Sequence, residues 1–545
     1  MAAARRRRRG TEEARVGGQG DRRVDGALRA RWHRASFGRR LVVAATALVV
    51  ATAAVIGLGL ATQPGYPVGG ASGGPIDGLV VDELRHRPTP GPWLLTTAAL
   101  GLPEVSDGCL TYSVLASVGA DVLVSTSSQL AYTETGCYDE RGRSERLVRL
   151  DPLAGTVRWS VDVSEISGGG GTLAAFVDEA RGDAIVSTTG LYGYGRGASG
   201  YARVDLATGA LADVTTSDDA TPIVEAADDG LVLVSVSPAP VYGYSDDPLA
   251  GAAAEALLGS QSGPRTLLYR RDDLGTPVWS DEQTGDISSS VLLDDGLLVV
   301  SGGTGTVIDG ATGDERAWAD DLSPSAQAYG VDDTVFVVDF GRGMDSRAEV
   351  SAWSPDGTER WRRPFDQDRL PVVTGGCVAF SDRTGVHCAD LETGDDRWVV
   401  ERTGESRGIP LVSDSRPGRW DDDVFVQTFS ARSGLGDPGA DRALLLLDAE
   451  TGSERMRAYV PPDSSVVAVS RSVAYVAGSD SSDAIAGHRV FSTVMGVDLA
   501  GGRTLWRLDS DADLQFWGGA LVEIGDDGSI RRLVDDVRVT DTVAR

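Results

Sequence analysis

One phrase recurs along this chain and limits what it can fold into: an aspartate, a short turn ending in glycine, and a tryptophan four positions later. The clearest copies are Asp151 with Gly155 and Trp159, Asp390 with Gly394 and Trp398, and Asp498 with Gly502 and Trp506. Asp205 and Gly209 repeat it without a tryptophan, Asp309 and Gly313 place theirs one position late at Trp318, and Asp448 and Gly452 carry Met456 instead. Two degraded copies run from Asp273 to Gly275 with Trp279, and from Ser354 to Gly357 with Trp361. Successive glycines lie 54, 66, 38, 44, 37, 58 and 50 residues apart, a period that fits four-stranded blades of roughly 40–50 residues with loop insertions. The segments between them hold alternating or apolar runs, such as those starting at Leu231 and Val335, which suit strands. The expected fold is therefore all-β: a β-propeller of four-stranded blades, eight by this count with seven as the alternative.

The residue types explain the phrase. An Asp or Thr side chain bonds back to the turn backbone, Gly takes a positive φ, and Trp buries a large ring between adjacent sheets. The composition agrees, with 69 Gly against 10 Phe and 4 Met, a balance suited to short strands and tight turns.

In its D-x-x-T-G-x-x-x-W form the phrase resembles the tryptophan-docking signature of PQQ-like β-propeller repeats, over roughly residues 95–540. That family holds quinoprotein dehydrogenases and non-enzymatic propellers, including an outer-membrane assembly lipoprotein, and the resemblance is to a non-enzymatic, membrane-anchored branch. It implies architectural roles for the glycines and tryptophans. The dehydrogenase branch carries adjacent cysteines stacked on the quinone and an acidic set that binds Ca²⁺ beside a catalytic Asp. This chain has no adjacent cysteines and no lysine to pair with the cofactor. We expect no enzyme activity, no quinone and no other cofactor; a membrane-tethered dehydrogenase using PQQ and calcium is the alternative.

Charge divides the chain. Residues 1–40 hold 13 Arg against four acidic residues, a net of +9, so with −29 overall the remainder carries −38. An acidic body repels nucleic acid, and that class of partner is excluded. The basic tail ends at Arg39-Arg40, just before 21 uncharged residues from Leu41 to Ala61, long enough to cross a bilayer as one helix. The positive-inside bias then puts the N-terminus in the cytoplasm. A cleaved signal peptide is the competing reading, but its n-region would be 40 residues long. The expected domains are a cytoplasmic tail (1–40), a signal-anchor helix (41–62), a Gly/Pro-rich linker (63–92) and the propeller (93–540), outside the plasma membrane. The Arg-rich, lysine-free, Ala/Gly/Val-heavy composition points to an actinobacterial source.

All four cysteines, Cys109, Cys137, Cys377 and Cys388, follow the apolar segment, as an oxidising compartment requires. A hairpin turning at 381–384 would set Cys377 and Cys388 opposite one another as a disulfide, leaving Cys109 for Cys137. Neither pair has the CxxC spacing of a zinc site.

The remaining chemistry is sparse. The acidic runs 421–423 and 480–483 match no calcium loop and read as solvated acid. His86, His387 and His488 have no partner at a spacing that marks nucleophilic catalysis. The Gly-rich stretches 168–171 and 190–197 lack the following Lys-Ser/Thr of a phosphate loop. Tyr192, Tyr194, Tyr201, Tyr242 and Tyr244 lie on apparent loop insertions, where aromatic side chains serve recognition. The expected function is an extracytoplasmic protein-binding or scaffolding module with an envelope protein partner; a structural or glycan-binding envelope protein is a further alternative.

Overall fold

In the computed structural model the described residues are 82–535, less 104–108, 129–144, 168–172, 189–198, 218–219, 239–264, 282–286, 332, 341–347, 366–370, 375–376, 383, 402–405, 411–422, 431–441, 449, 462–463, 471 and 479–490. The basic tail, the apolar run and most of the linker lie outside them. Among the described residues no helix is long and apolar enough to cross a membrane.

The strands are antiparallel and sequential. Seven separate four-stranded sheets follow one another along the chain, spanning residues 110–162, 173–217, 220–281, 287–319, 327–365, 372–401 and 406–460; they are blades 1 to 7. The eighth sheet has seven strands because Thr504–Trp517 serves twice. Its first half pairs with Phe491–Asp498 and completes blade 8, and its second half pairs with Ala520–Ile524. Ile530–Asp535 comes next, and the outermost strand is Pro88–Leu95, from the other end of the propeller. These four strands make blade 9. The expected eight blades therefore fall one short among the described residues. The motif marks the hairpin joining the third and fourth strands, and blade 9 has none, because its fourth strand arrives from the N-terminal side.

The same fact moves the domain boundary. The segment 82–92, expected as linker, is built into the ring: Leu84 is buried, and Arg532 donates to both carboxylate oxygens of Asp82 at 2.7 Å. The hydroxyl of Tyr475 donates to the Asp82 carbonyl (2.8 Å) and accepts from the Leu84 amide (2.9 Å). Closure by pairing the two chain ends, which removes an open edge, is what the topology shows.

Most blades grip the next through the repeated phrase. Asp151, Asp309, Asp390 and Asp448 accept backbone N–H bonds from the two turn residues at positions two and three beyond, at 2.7–3.1 Å. The turn glycine follows in a left-handed conformation, with φ of 71° at Gly394. The indole of the preceding blade then lies on that glycine. A Cβ on Gly155, Gly209, Gly394 or Gly452 would stand 2.5–2.7 Å from the ring of Trp93, Trp159, Trp361 or Trp398 respectively. Indole N–H groups donate to carbonyls of the turn they cover, Trp159 to Leu206 (2.8 Å) and Trp361 to Leu391 (3.0 Å). Trp506 of blade 8 donates to Leu84 (2.6 Å), which stands at the turn position of blade 9, and Trp93 of blade 9 donates to Leu153 of blade 1 (3.1 Å). The ring is thus closed by its own recurring contact. Trp318, one place late in sequence, still reaches its neighbour, donating to the Ser354 carbonyl (3.3 Å). At ~25 cal/mol per Å² and roughly 150–200 Å² per indole, each such seam contributes about 4 kcal/mol.

Cys377 and Cys388 form a disulfide with Cα atoms 5.5 Å apart. Their register is diagonal, however: Cys388 faces Ala379 and Cys377 faces Asp390. The turn sits two residues closer to Cys388 than to Cys377, and the span still suits a disulfide. Cys109 is buried and disulfide-bonded; Cys137, its expected partner, lies outside the described residues.

Candidate functional site

The turn joining strands one and two and the turn joining strands three and four lie at the same end of a blade, as the pairing of Gly296 with Asp309 requires. On this turn face a cleft of about 1080 Å³ crosses blades 2 to 5. Ten of its twenty lining residues are Asp or Glu and one, Arg316, is a cation. The carboxylates come from corresponding places: Asp228 and Asp229, Asp294 and Asp295, and Asp333 from first turns, Asp309, Asp314 and Asp356 from third-to-fourth turns. Turn chemistry explains why these positions favour Asp, which caps its own turn. Asp228 Oδ1 accepts from the amides of Gly230 (2.7 Å) and Leu231 (2.6 Å).

The environment separates these acids. Burial pushes Asp228 above the ordinary carboxylate range. Hydrogen bonds from the Thr312 amide and hydroxyl hold Asp309 below it, and those from Ser354 and Thr358 do the same for Asp356. Near neutral pH the exposed members are anionic, and the cleft offers a field for cations. Among the described residues no group of three or more potential ligands is close enough to hold a metal ion. The acidic run 480–483 and residues 421 and 422 lie outside the described residues.

The seam between blades 2 and 3 borders this cleft and lacks the usual indole, since Asp213 occupies the tryptophan position after Gly209. An arginine network takes over. Arg271, 1% exposed, donates to the carbonyls of Asp228 (2.7 Å) and Phe176 (3.1 Å) and to Asp183 (2.8 Å). Arg203 bridges Asp183 (2.9 Å) and Asp213 (2.8 Å) and donates to the Arg271 carbonyl. Burial raises Asp183, but the bonds from Arg271 and Arg203 outweigh it and leave the carboxyl below its ordinary range.

His387 is the most heavily contacted of the sequence candidates. Its Nε2 lies 2.9 Å from Asp382 Oδ1 and 2.9 Å from the Thr384 hydroxyl, and Nδ1 lies 3.1 Å from Asp396 Oδ1. The ring stacks on Phe380, and Arg363 of blade 5 chelates Asp396 from outside at 2.9 and 3.1 Å. A hydroxyl, an imidazole and a carboxylate in a row resemble a nucleophile relay. The Thr384 hydroxyl, however, donates to Asp382 at 2.6 Å, so its proton points away from the histidine. The cluster braces blade 6 against blade 5. Sequence spacing did not reveal these partners, because they meet across a hairpin and a neighbouring strand.

His86 is exposed and pairs with Asp535 at 3.2 Å, beside the closing strand. Tyr201, expected on a loop insertion, is instead a core residue of blade 2, 2% exposed among Phe176, Ile185 and Tyr269. Its position in the strand Ser199–Asp205 turns the ring inward. Tyr192, Tyr194, Tyr242, Tyr244, His488 and both Gly-rich stretches lie outside the described residues. The cleft itself was not anticipated, because its acids are scattered through the sequence and come together only in the ring.

Residues 346–515 match the PQQ-like repeat family model described as outer membrane protein assembly factor BamB. No curated protein matches the chain. Among solved structures it is similar to BamB from Moraxella catarrhalis, with 14% identity over 78% of this chain and 98% of that one and a TM-score of 0.36. It is also similar to the quinohemoprotein alcohol dehydrogenase from Comamonas testosteroni (10% identity, 83% and 78%, TM-score 0.34). A third is the WD40 domain of SCAP from fission yeast (9% identity, 83% and 98%, TM-score 0.36).

Proposed function

We propose, from a chain whose repeats are of the PQQ-like type, that this propeller is a protein-binding or scaffolding module. Its docking surface in this reading is the acidic turn face of blades 2 to 5. The observation that carries it is the cleft of about 1080 Å³ with ten carboxylates and one cation among its twenty lining residues. A rigid ring that presents charged turns from four successive blades suits recognition of a basic protein surface. The match of residues 346–515 to a family described as an outer-membrane assembly factor supports the same reading.

The reading extends to the whole chain as a single-pass membrane protein. The apolar run from Leu41 to Ala61 anchors it, the arginine-rich tail stays in the cytoplasm and the propeller stands outside the plasma membrane. The partner is then an envelope protein, and no cofactor is needed.

The test is affinity capture from intact, crosslinked cells through a C-terminal tag, followed by binding of the identified partner to full-length protein. Asp294→Asn with Asp295→Asn and Asp333→Asn is expected to weaken binding at least tenfold and to flatten its salt dependence. Unchanged affinity in this variant would overturn the turn-face assignment. Turnover in a dye-linked assay after adding PQQ and Ca²⁺ would overturn the non-enzymatic reading.

A further inference from the structure

We infer that the outer edge of blade 2, the strand Leu211–Ser217, accepts an extended cationic segment of a partner protein as an added fifth strand. The inference rests on the protein-binding reading above and assigns it a second surface.

The outermost strand of a blade presents backbone donors and acceptors that nothing in its own sheet satisfies, and natural edges are guarded by charges or prolines. The other eight outer strands follow that rule. Pro88–Leu95 carries three prolines, Asp273–Asp281 carries Pro277, and the remaining six each carry at least one arginine, for example Arg158, Arg316 and Arg397. Leu211–Ser217, with the sequence LADVTTS, has no proline and no arginine, and its one charge, Asp213, is drawn back to Arg203 of the neighbouring strand. Five consecutive residues, Ala212 to Thr216, are exposed, including Val214 at 43%. The tryptophan that pins most outer strands to the next blade is replaced by Asp213, which among the described residues is the one non-glycine with positive φ (50°). Backbone held in that sparsely populated region needs support; Arg203 supplies it by binding the Asp213 carboxylate.

Charge selects the occupant. From Val204 to Pro264 the chain has no Arg, Lys or His and holds ten Asp or Glu, among them Asp213, the pair Asp218-Asp219 that follows the strand, and Asp228 and Asp229 in the cleft. Among the described residues Asp205, Asp228 and Asp229 stand at turns of the face where Leu211 begins, so an added strand meets an acidic field at that end. Main-chain pairing would give affinity, and alternating basic side chains would give selectivity.

The experiment uses full-length protein and two synthetic heptapeptides, one alternating valine with arginine and one alternating valine with glutamate, read by amide hydrogen exchange. The arginine peptide is expected to slow exchange at 211–217 at least tenfold, the glutamate peptide to leave it unchanged, and raised salt to reverse the protection. Val214→Arg with Thr216→Arg, which restores the guard found on other edges and leaves the backbone intact, is expected to abolish it without lowering the melting temperature. Protection confined to the cleft turns near Asp294 and Asp333 would overturn the edge assignment while leaving the turn-face reading standing. Protection of 211–217 that appears without peptide as protein concentration rises would also overturn it, in favour of pairing between two copies. Protection nowhere would sink it as well.

Discussion

Gly394 lies under the indole of Trp361, with room for a hydrogen atom and nothing more. Gly394→Ala combines a left-handed backbone with a Cβ about one ångström too close, and is expected to destabilise the propeller by about 2–3 kcal/mol in urea unfolding. Trp361→Ala removes the other half of the contact at about 3–4 kcal/mol. The double variant should cost less than the two single losses together, because they break one interaction. Full additivity would mean that the ring and the glycine do not act as a pair. Arg271→Met tests the substitute seam: Asp183 loses a partner in a largely buried site, and a loss of about 3 kcal/mol is expected. Asp382 offers a pH test. Burial raises its carboxyl, but bonds from Thr384 and His387 outweigh this and bring it down to about 2. Because the folded value lies below the ordinary ~3.9, the stabilisation is present above about pH 4 and is lost as pH falls towards 2. Asp382→Asn is expected to have a shallower fall in melting temperature across that window than the parent protein. An unchanged slope would remove Asp382 from the acid response.

The strand Pro88–Leu95 is the element on which the ring depends. It completes blade 9, and its flanks tie into blade 8 through Leu84 and into blade 1 through Trp93. Deleting residues through 95 is therefore expected to lower the melting temperature of the whole ring and to speed amide exchange along Ile530–Asp535 to rates near those of an open edge. A truncated protein with the parent's exchange pattern would show that the closing strand is dispensable. The same element shows how far the sequence could be read. The glycine–tryptophan phrase is local, and it located eight hairpins and the all-β class, because each copy must satisfy its turn by itself. Blade 9 has no such hairpin, and pairing between residues 88–95 and 530–535 leaves no local trace beyond Trp93, which has no Asp–Gly turn before it. The cysteine hairpin was visible in sequence, but its register was not, since a shift of two positions preserves every inward and outward side chain. The cleft and the His387 brace escaped for a related reason: aspartates at turns serve the turn first, and only the ring decides which of them converge. Tyr201 misled because its glycine-rich neighbours suggested a loop, whereas it packs into blade 2.

At the scale of the whole molecule, function in this account follows from repetition with local departures. Recurring seams join the blades into a ring, and the cleft lies where blades 2 to 5 pool their turn acids, beside the one seam that an arginine network holds in place of a tryptophan. The most direct measurement is site-specific photo-crosslinking in intact cells, with the reactive residue placed at Asp295 on the turn face or at Thr304 in the hairpin at the opposite end of blade 4. The account predicts a single envelope protein captured from Asp295 and lost at high salt, with little or nothing captured from Thr304. Equal capture from both positions, or capture from Thr304 alone, would contradict it.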